Sequence, residues 1–254
     1  NMNDLHSKLL QTRREIYIRL KETAVSYNVQ YSVELKRYLH AQEAYENKDF
    51  DIVSPEDFLN SAENSQVIYI GDFHTFDQSS KNFNRLIKFL LKQDKKLVIG
   101  LEMVSSSEQQ KINSFLKGQI TEKEFLEDIN YKESWRFPWV HYSELFNLAK
   151  EREISIVGLN SEGNLESRDE HAANIISKTF NKNNQAQFLI LFGELHILPD
   201  KLPQKVNNKI KVNIRDLIIH QNLDSIYWKQ IENSENGRIG SSIVKLGENE
   251  FSLQ

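Results

Sequence analysis

Val67-Ile68-Tyr69-Ile70-Gly71-Asp72-Phe73-His74 begins as a short apolar run without polar alternation and ends on a glycine, an acid, an aromatic residue and a histidine. Such a run, rich in β-branched and aromatic side chains, reads as a strand buried on both faces, the kind found in parallel sheets. Glycine at its end permits a sharp turn, because no β-carbon stands in the way. The acid and the histidine are two residues apart and so leave the strand end on the same side. Ile190-Leu191-Phe192-Gly193-Glu194-Leu195-His196 repeats the pattern position by position: three apolar residues, Gly, an acid, an apolar residue, His.

Outward from these two stretches, strands and helices alternate. Ser80 to Leu91 has helical periodicity, and Leu97 to Leu101 is another apolar strand. Ser107 to Leu116 and Thr121 to Ile129 read as short helices, the second opened by a capping box at Thr121 and Glu124. The aromatic segment Trp135-Arg136-Phe137-Pro138-Trp139 precedes a helix from His141 to Glu151. Then come a strand at Ile154 to Leu159, a helix at Glu166 to Phe180, the strand at Gln187 to Phe192, a short helix after Pro199 and a strand at Ile210 to Ile214. Ile226-Tyr227-Trp228 and Ser242 to Leu253 read as antiparallel edge strands that turn near Gly247. Upstream, Leu5 to Ala24 reads as an amphipathic helix and about Ser32 to Tyr45 as a second, polar helical stretch, and Ser54-Pro55 marks another helix start. The pattern predicts an α/β fold: a mostly parallel sheet with helices on both faces, a helical lead-in over residues 1–60, and one main domain over 61–254.

The 254 residues suffice for a full core, and the net charge of -4 with interspersed signs presents no basic face for nucleic acid. The absence of cysteine excludes disulfides, thiolate zinc sites, iron–sulfur clusters and a cysteine nucleophile. The longest apolar runs are strand-sized, so no transmembrane segment is expected. Asn1-Met2-Asn3-Asp4 carries no basic leader or lipid-attachment cysteine. On that reading the chain as given is cytoplasmic, and exported or lipid-anchored if a leader has been removed.

In an open parallel sheet, ligands bind beyond the carboxyl ends of the strands. Two Gly-acid-apolar-His turns on neighbouring strands would bring two carboxylates and two imidazoles to one mouth, and Glu102 stands at a third strand end. Asp72, His74, Glu102, Glu194 and His196 form a candidate set for a divalent metal, since carboxylate and imidazole suit manganese or zinc. The same groups suit acid–base catalysis by His74, His196 and Glu102, with Arg168 to stabilise negative charge. A strand-end histidine also serves as a hydrogen-bonded structural residue, and the Arg168 segment also reads as a solvated first helical turn.

The two turns, Leu101-Glu102-Met103 with Gln109 or Gln110, the spaced Trp135, Trp139 and Tyr142, Gly158-Leu159-Asn160 and Arg168-Asp169-Glu170-His171 together resemble the ChaN-like haem-binding uptake family. That family sits in a superfamily with the Tiki and TraB proteins and the erythromycin esterases. Two positions depart from its pattern: Asp72 stands where glutamate is usual, and Ala172 where a methionine often follows the arginine motif. The resemblance implies haem binding in iron acquisition or handling. Trp135, Arg136, Trp139, His141 and Tyr142 are the candidate haem contacts, with a Tyr or His as axial ligand and Arg136 on a propionate. The alternative it implies is a hydrolase of the Tiki or esterase type, metal-dependent or built on His and Glu. A third reading is a non-catalytic protein whose N-terminal helix forms a homodimer or partner surface.

Overall fold

The computed structural model describes residues 2–27, 33–74, 77–135, 137–183, 185–210, 212–234 and 242–254. Helices α1 (Met2–Tyr27) and α2 (Val33–Glu43) lead to a three-residue strand, β1 (Asp51–Val53), and to α3 (Pro55–Asn64). Ser54 caps α3 through its hydroxyl, which accepts from the Asp57 N–H, and Pro55 fills the first helical position. Strand β2 (Val67–Asp72), helix α4 (Asp77–Lys92) and strand β3 (Leu97–Ser105) follow, then the short helices α5 (Gln109–Leu116), α6 (Glu122–Asp128) and α7 (Tyr131–Ser134). The Thr121–Glu124 capping box opens α6 as its sequence predicts. Helix α8 (Val140–Glu151), β4 (Ser155–Asn160), α9 (Leu165–Lys182), β5 (Gln187–Gly193) and α10 (Leu202–Lys209) complete the alternating part. The chain ends with β6 (Asp216–Gln221), α11 (Asp224–Glu232), β7 (Ile243–Gly247) and β8 (Glu250–Leu253).

All eight strands join one sheet in the order β1-β7-β8-β6-β2-β5-β3-β4. From β8 through β4 every neighbouring pair is parallel, while β7 runs antiparallel to both β8 and β1. The expected mostly parallel sheet with antiparallel edge strands is therefore present.

Alternation along the central strands splits the core in two. Ile68, Ile70, Leu189, Leu191, Leu217 and Ile219 pack with side chains of α3, α4, α5 and α8 on one face. Val67, Tyr69, Phe188, Ile190, Phe192 and Ile218 pack with α9 and α10 on the other. Both faces are covered, which is why these strands lack a polar side. Among the described residues, no helix is long and apolar enough to cross a membrane.

Two sequence expectations near the end of the chain are corrected. The strand expected at Ile210 to Ile214 lies at Asp216–Gln221, because the Ile210 N–H instead closes α10 on the Val206 carbonyl. Ile226-Tyr227-Trp228 is helical, with Ile226, Gln230 and Ile231 buried at i, i+4 and i+5, and Trp228 packs on Tyr17 of α1 with ring centroids 5.5 Å apart.

Candidate active site

Strands β2 and β5 are adjacent, so both histidine turns emerge at the same carboxyl edge, but they are one residue out of step. Asp72 pairs with Gly193, and Gly71 with Phe192. A one-residue offset sends equivalent side chains to opposite faces of a sheet. Asp72 accordingly joins the α4–α8 face, where the Tyr142 hydroxyl donates to it at 2.9 Å and the Trp135 indole donates to Tyr142 at 3.2 Å. Glu194 leaves on the other side and lies over Gly71, where an added β-carbon would fall 1.6 Å from its Oε2. Glycine at position 71 is required by this close approach.

Both imidazoles are held in the same way. His74 Nδ1 meets Asp72 Oδ2 at 2.8 Å, and His196 Nδ1 meets Asp169 Oδ1 at 2.5 Å. A ring N–H at Nδ1 donates to the carboxylate in each pair, and neither Nε2 makes a hydrogen bond among the described residues. Both Nε2 atoms turn toward Glu102 of β3, His74 at 3.7 Å from Oε2 and His196 at 3.9 Å from Oε1. Glu102 is itself anchored: the Gly193 N–H donates to Oε2 at 2.6 Å, and the Arg168 guanidinium pairs with Oε1. Arg168 Nε donates to Asn160 Oδ1 at 3.1 Å. The His74 and Arg168 side chains retain 22% and 20% exposure, while Glu102 and His196 are nearly sealed, so the group has a solvent-facing side.

Burial opposes a charge on His74, but the hydrogen bond to Asp72 and the charges of Asp72 and Glu102 outweigh burial and the opposing Arg168, raising its pKa above the ordinary histidine value. Burial, followed by the Asp72 charge, drives the Tyr142 phenol far up, which keeps it a donor. The Trp135 and Phe137 rings wall His74, at centroid distances of 4.6 and 5.0 Å.

The structure thus brings together His74, Glu102, Arg168 and His196, with Asp72 behind His74. It does not bring Glu194. That carboxylate pairs with fully buried His220 and accepts from the Gln221 N–H at 3.3 Å. His220 Nε2 meets Glu250 at 2.9 Å, and Glu250 is also held by Tyr45 and Lys48. For His220, burial is outweighed by the charge and hydrogen bond of Glu194 and then by Glu250, and its pKa is pushed up to about 9. The expected five-membered metal set is therefore divided, with Glu194 committed to an internal ion pair by the register offset. Among the described residues no three His, Asp or Glu side chains converge as a metal site.

Of the expected haem contacts, Tyr142 and Trp135 are buried and bonded behind Asp72, so Tyr142 is not presented as an axial ligand. Trp139 packs among Phe125, Tyr131 and Phe146. His141 Nδ1 and Trp139 Nε1 are buried without a hydrogen-bond partner. Arg136 lies outside the described residues. A separate cleft of about 820 Å³ runs along α6, α7 and residues 137–139, walled by Leu126, Tyr131, Phe137, Pro138 and Trp139 with Lys123 and Lys132 on its rim. Glu122 and Glu127 also line this cleft, Lys123 pairs with Glu127 at 3.8 Å, and no histidine lines it, so its aromatic wall suits a flat apolar ring better than its charge balance suits carboxylate arms.

Sequence reasoning assigned no role to Asp169, Tyr38, Asn160, His220 or Glu250. Asp169 follows Arg168 directly, and that adjacency within the first turns of a helix is the signal its sequence offered. Tyr38, His220 and Glu250 carry no motif.

An α/β sheet with paired histidine turns at its carboxyl edge defines the class, and comparison with known proteins shows what the chain resembles. Residues 58–167 match the family model described as haem-binding uptake, Tiki superfamily, ChaN. That segment ends just before Arg168 and includes Asp72, His74 and Glu102. The chain is similar in structure to ChaN of Campylobacter jejuni, described for its cofacial heme binding, at 18% identity and a TM-score of 0.50, covering 82% of this chain and 97% of that one. It is also similar to the type III effector HopBA1, at 14% identity and a TM-score of 0.52, covering 81% of this chain and 95% of that one. At such identities the likeness is one of fold. No curated protein sequence matches this chain.

Proposed function

We propose that the cluster at the carboxyl ends of β2, β3 and β5 is a hydrolytic centre acting on an acyl bond, an ester or an amide. The observation that carries this reading is that two imidazoles, each held at Nδ1 by its own carboxylate, turn their Nε2 atoms to the same glutamate. His74, whose surroundings favour its protonated form, gives its Nε2 proton to the leaving oxygen or nitrogen. His196 takes a proton from the attacking water as its oxygen bonds to the carbonyl carbon. The carbonyl oxygen then carries negative charge beside the guanidinium of Arg168, whose five donors exceed what Glu102 and Asn160 use. Glu102 holds Arg168 in place and keeps the two imidazoles in one electrostatic frame. Turnover of chromogenic esters and aryl amides, with and without manganese, tests the reading. Activity that disappears in His196→Ala is expected, and no turnover of any of these substrates by the wild-type protein would overturn it.

A second reading, haem binding in haem or iron handling, is favoured by the family match over residues 58–167 and by the aromatic cleft beside Trp139. In this reading Lys123 and Lys132 would pair with the propionates, and the apolar wall would cover the ring. Bound haem would supply iron redox or ligand chemistry. Hemin titration should then give a shifted Soret band that weakens in a Lys123→Glu/Lys132→Glu double variant. An unshifted band excludes this second reading and leaves the hydrolytic one standing.

A further inference from the structure

Helix α2 lies outside the family-matched segment, yet it reaches the candidate site through two side chains on one of its faces. Glu34 accepts from the Leu165 N–H at 3.1 Å and the Glu166 N–H at 2.7 Å, while Asn164 accepts from the Ser167 N–H at 2.8 Å. The first turn of α9, otherwise a row of unpaired donors, is thereby satisfied jointly by Glu34 of α2 and by Asn164. One turn further along α2, the Tyr38 hydroxyl donates to Asp169 Oδ2 at 2.5 Å. Asp169 has no solvent exposure, and its other oxygen holds His196 Nδ1 at 2.5 Å. The Tyr38 ring also meets the His196 imidazole edge-on at 5.8 Å, with the Lys201 ammonium over the Tyr38 ring, 5.1 Å from its centroid.

A fully buried carboxylate must have both oxygens satisfied or it turns, protonates or draws in water. Among the described residues, Tyr38 is the side chain that satisfies Oδ2. Burial and then the hydrogen bond to Asp169 push the Tyr38 phenol well up, so it remains a donor across the accessible pH range.

From this arrangement we infer that Tyr38 is a positioning residue for the site: it fixes Asp169, which fixes the tautomer and angle of His196, while Glu34 sets the helix start that carries Arg168 and Asp169. The two histidines then stand at the ends of matching chains, Tyr142–Asp72–His74 with its tyrosine from α8 and Tyr38–Asp169–His196 with its tyrosine from α2. The sealed Oδ2 explains why a helix preceding the matched domain packs on α9 at this point.

The kinetic side of the inference rests on the hydrolytic reading, but its spectroscopic side does not. Ring-nitrogen NMR of His196 in protein labelled with ¹⁵N-histidine reads the tautomer directly, and Asp169→Asn sets the scale for its loss. Tyr38→Phe, which keeps the ring and its packing, should turn a single Nδ1–H tautomer into a mixture. Where the wild-type protein turns over an ester, kcat should fall about tenfold with KM within about twofold, as removal of an outer-shell partner typically does. Tyr38→His, able to donate again, should restore part of the single tautomer. An unchanged His196 spectrum in Tyr38→Phe overturns the inference whether or not the protein is a hydrolase. A changed spectrum in a protein with no turnover supports the positioning role and counts only against the hydrolytic reading.

Discussion

Two clusters of histidine and carboxylate sit at the same end of this sheet, and they are built from nearly the same parts. In the first, His74, Glu102, His196 and Arg168 keep a solvent-facing side, and both imidazoles leave Nε2 unbonded toward a shared acid. In the second, His220 spends both ring nitrogens, on Glu194 and Glu250, and has no exposure. A ring with a free nitrogen beside water can move a proton, whereas a ring bonded at both ends can only hold an ion pair. The difference between a working histidine and a structural one therefore lies in the second nitrogen, since carboxylates surround both.

The largest expected effect separates the clusters by turnover. Glu102→Gln keeps the size of the side chain and its bond from the Gly193 N–H but removes the charge that faces both imidazoles and Arg168. Ester hydrolysis per folded molecule should fall by about 10²–10⁴. A variant as active as the wild-type protein breaks the comparison.

The second cluster should show the reverse, with stability lost and chemistry spared. His220→Leu leaves Glu194 and Glu250 buried without their shared cation, a change that costs about 3–5 kcal/mol. Chemical denaturation measures this, and residual turnover per folded molecule should match the wild-type value. The pH dependence carries the same sign. A folded-state pKa of about 9 against an ordinary value of 6.5 means that the contribution of His220 is complete below 6.5 and is lost as pH rises through about 9. Glu250, held near 2 by its partners despite burial, contributes above the usual carboxylate range and loses that contribution only as pH falls through about 2. The urea midpoint should decline on the alkaline side in the wild-type protein and decline less in His220→Leu.

Much of this was legible in the sequence because parallel-strand ends announce themselves. The runs at Val67 and Gln187, the glycine after each and the alternation of elements place His74 and His196 at one edge, and Glu102 and Arg168 join them in the structure. Register was not legible. Whether Gly71 pairs with Gly193 or with Phe192 depends on packing across both faces, and that single step decides that Asp72 supports His74 while Glu194 belongs to His220. Asp169 was quoted within a motif but carried no role, since its function follows from burial by a helix more than a hundred residues earlier in the chain. The roles of the aromatic residues were not legible, because apolar rings near a site look alike in sequence whether they hold a ligand or brace a carboxylate. Trp135 and Tyr142 brace Asp72.

A smaller effect tests the support of His74. Asp72→Asn removes the carboxylate whose hydrogen bond and charge raise the His74 pKa. The alkaline limb of kcat/KM, where His74 loses its proton, should move to lower pH, and the maximum should fall about tenfold. A limb that stays in place would assign it to another group and remove His74 from the role of proton donor.

The smallest expected effect tests the brace behind Asp72 against the expectation that Tyr142 ligates iron. Tyr142→Phe deletes one donor to Asp72 while His74 continues to hold that carboxylate, and a single hydrogen bond contributes about 0.5–1.5 kcal/mol net. Turnover should therefore fall only a few-fold, accompanied by a slight loss of stability because the Trp135 indole loses its acceptor. The Soret band of added hemin should be indifferent to the change, since the phenol is 1% exposed and bonded inward. If Tyr142 instead ligated iron, the same substitution would abolish the band while sparing ester hydrolysis. One conservative variant read by two assays thus decides whether this tyrosine braces a catalytic carboxylate or faces a cofactor.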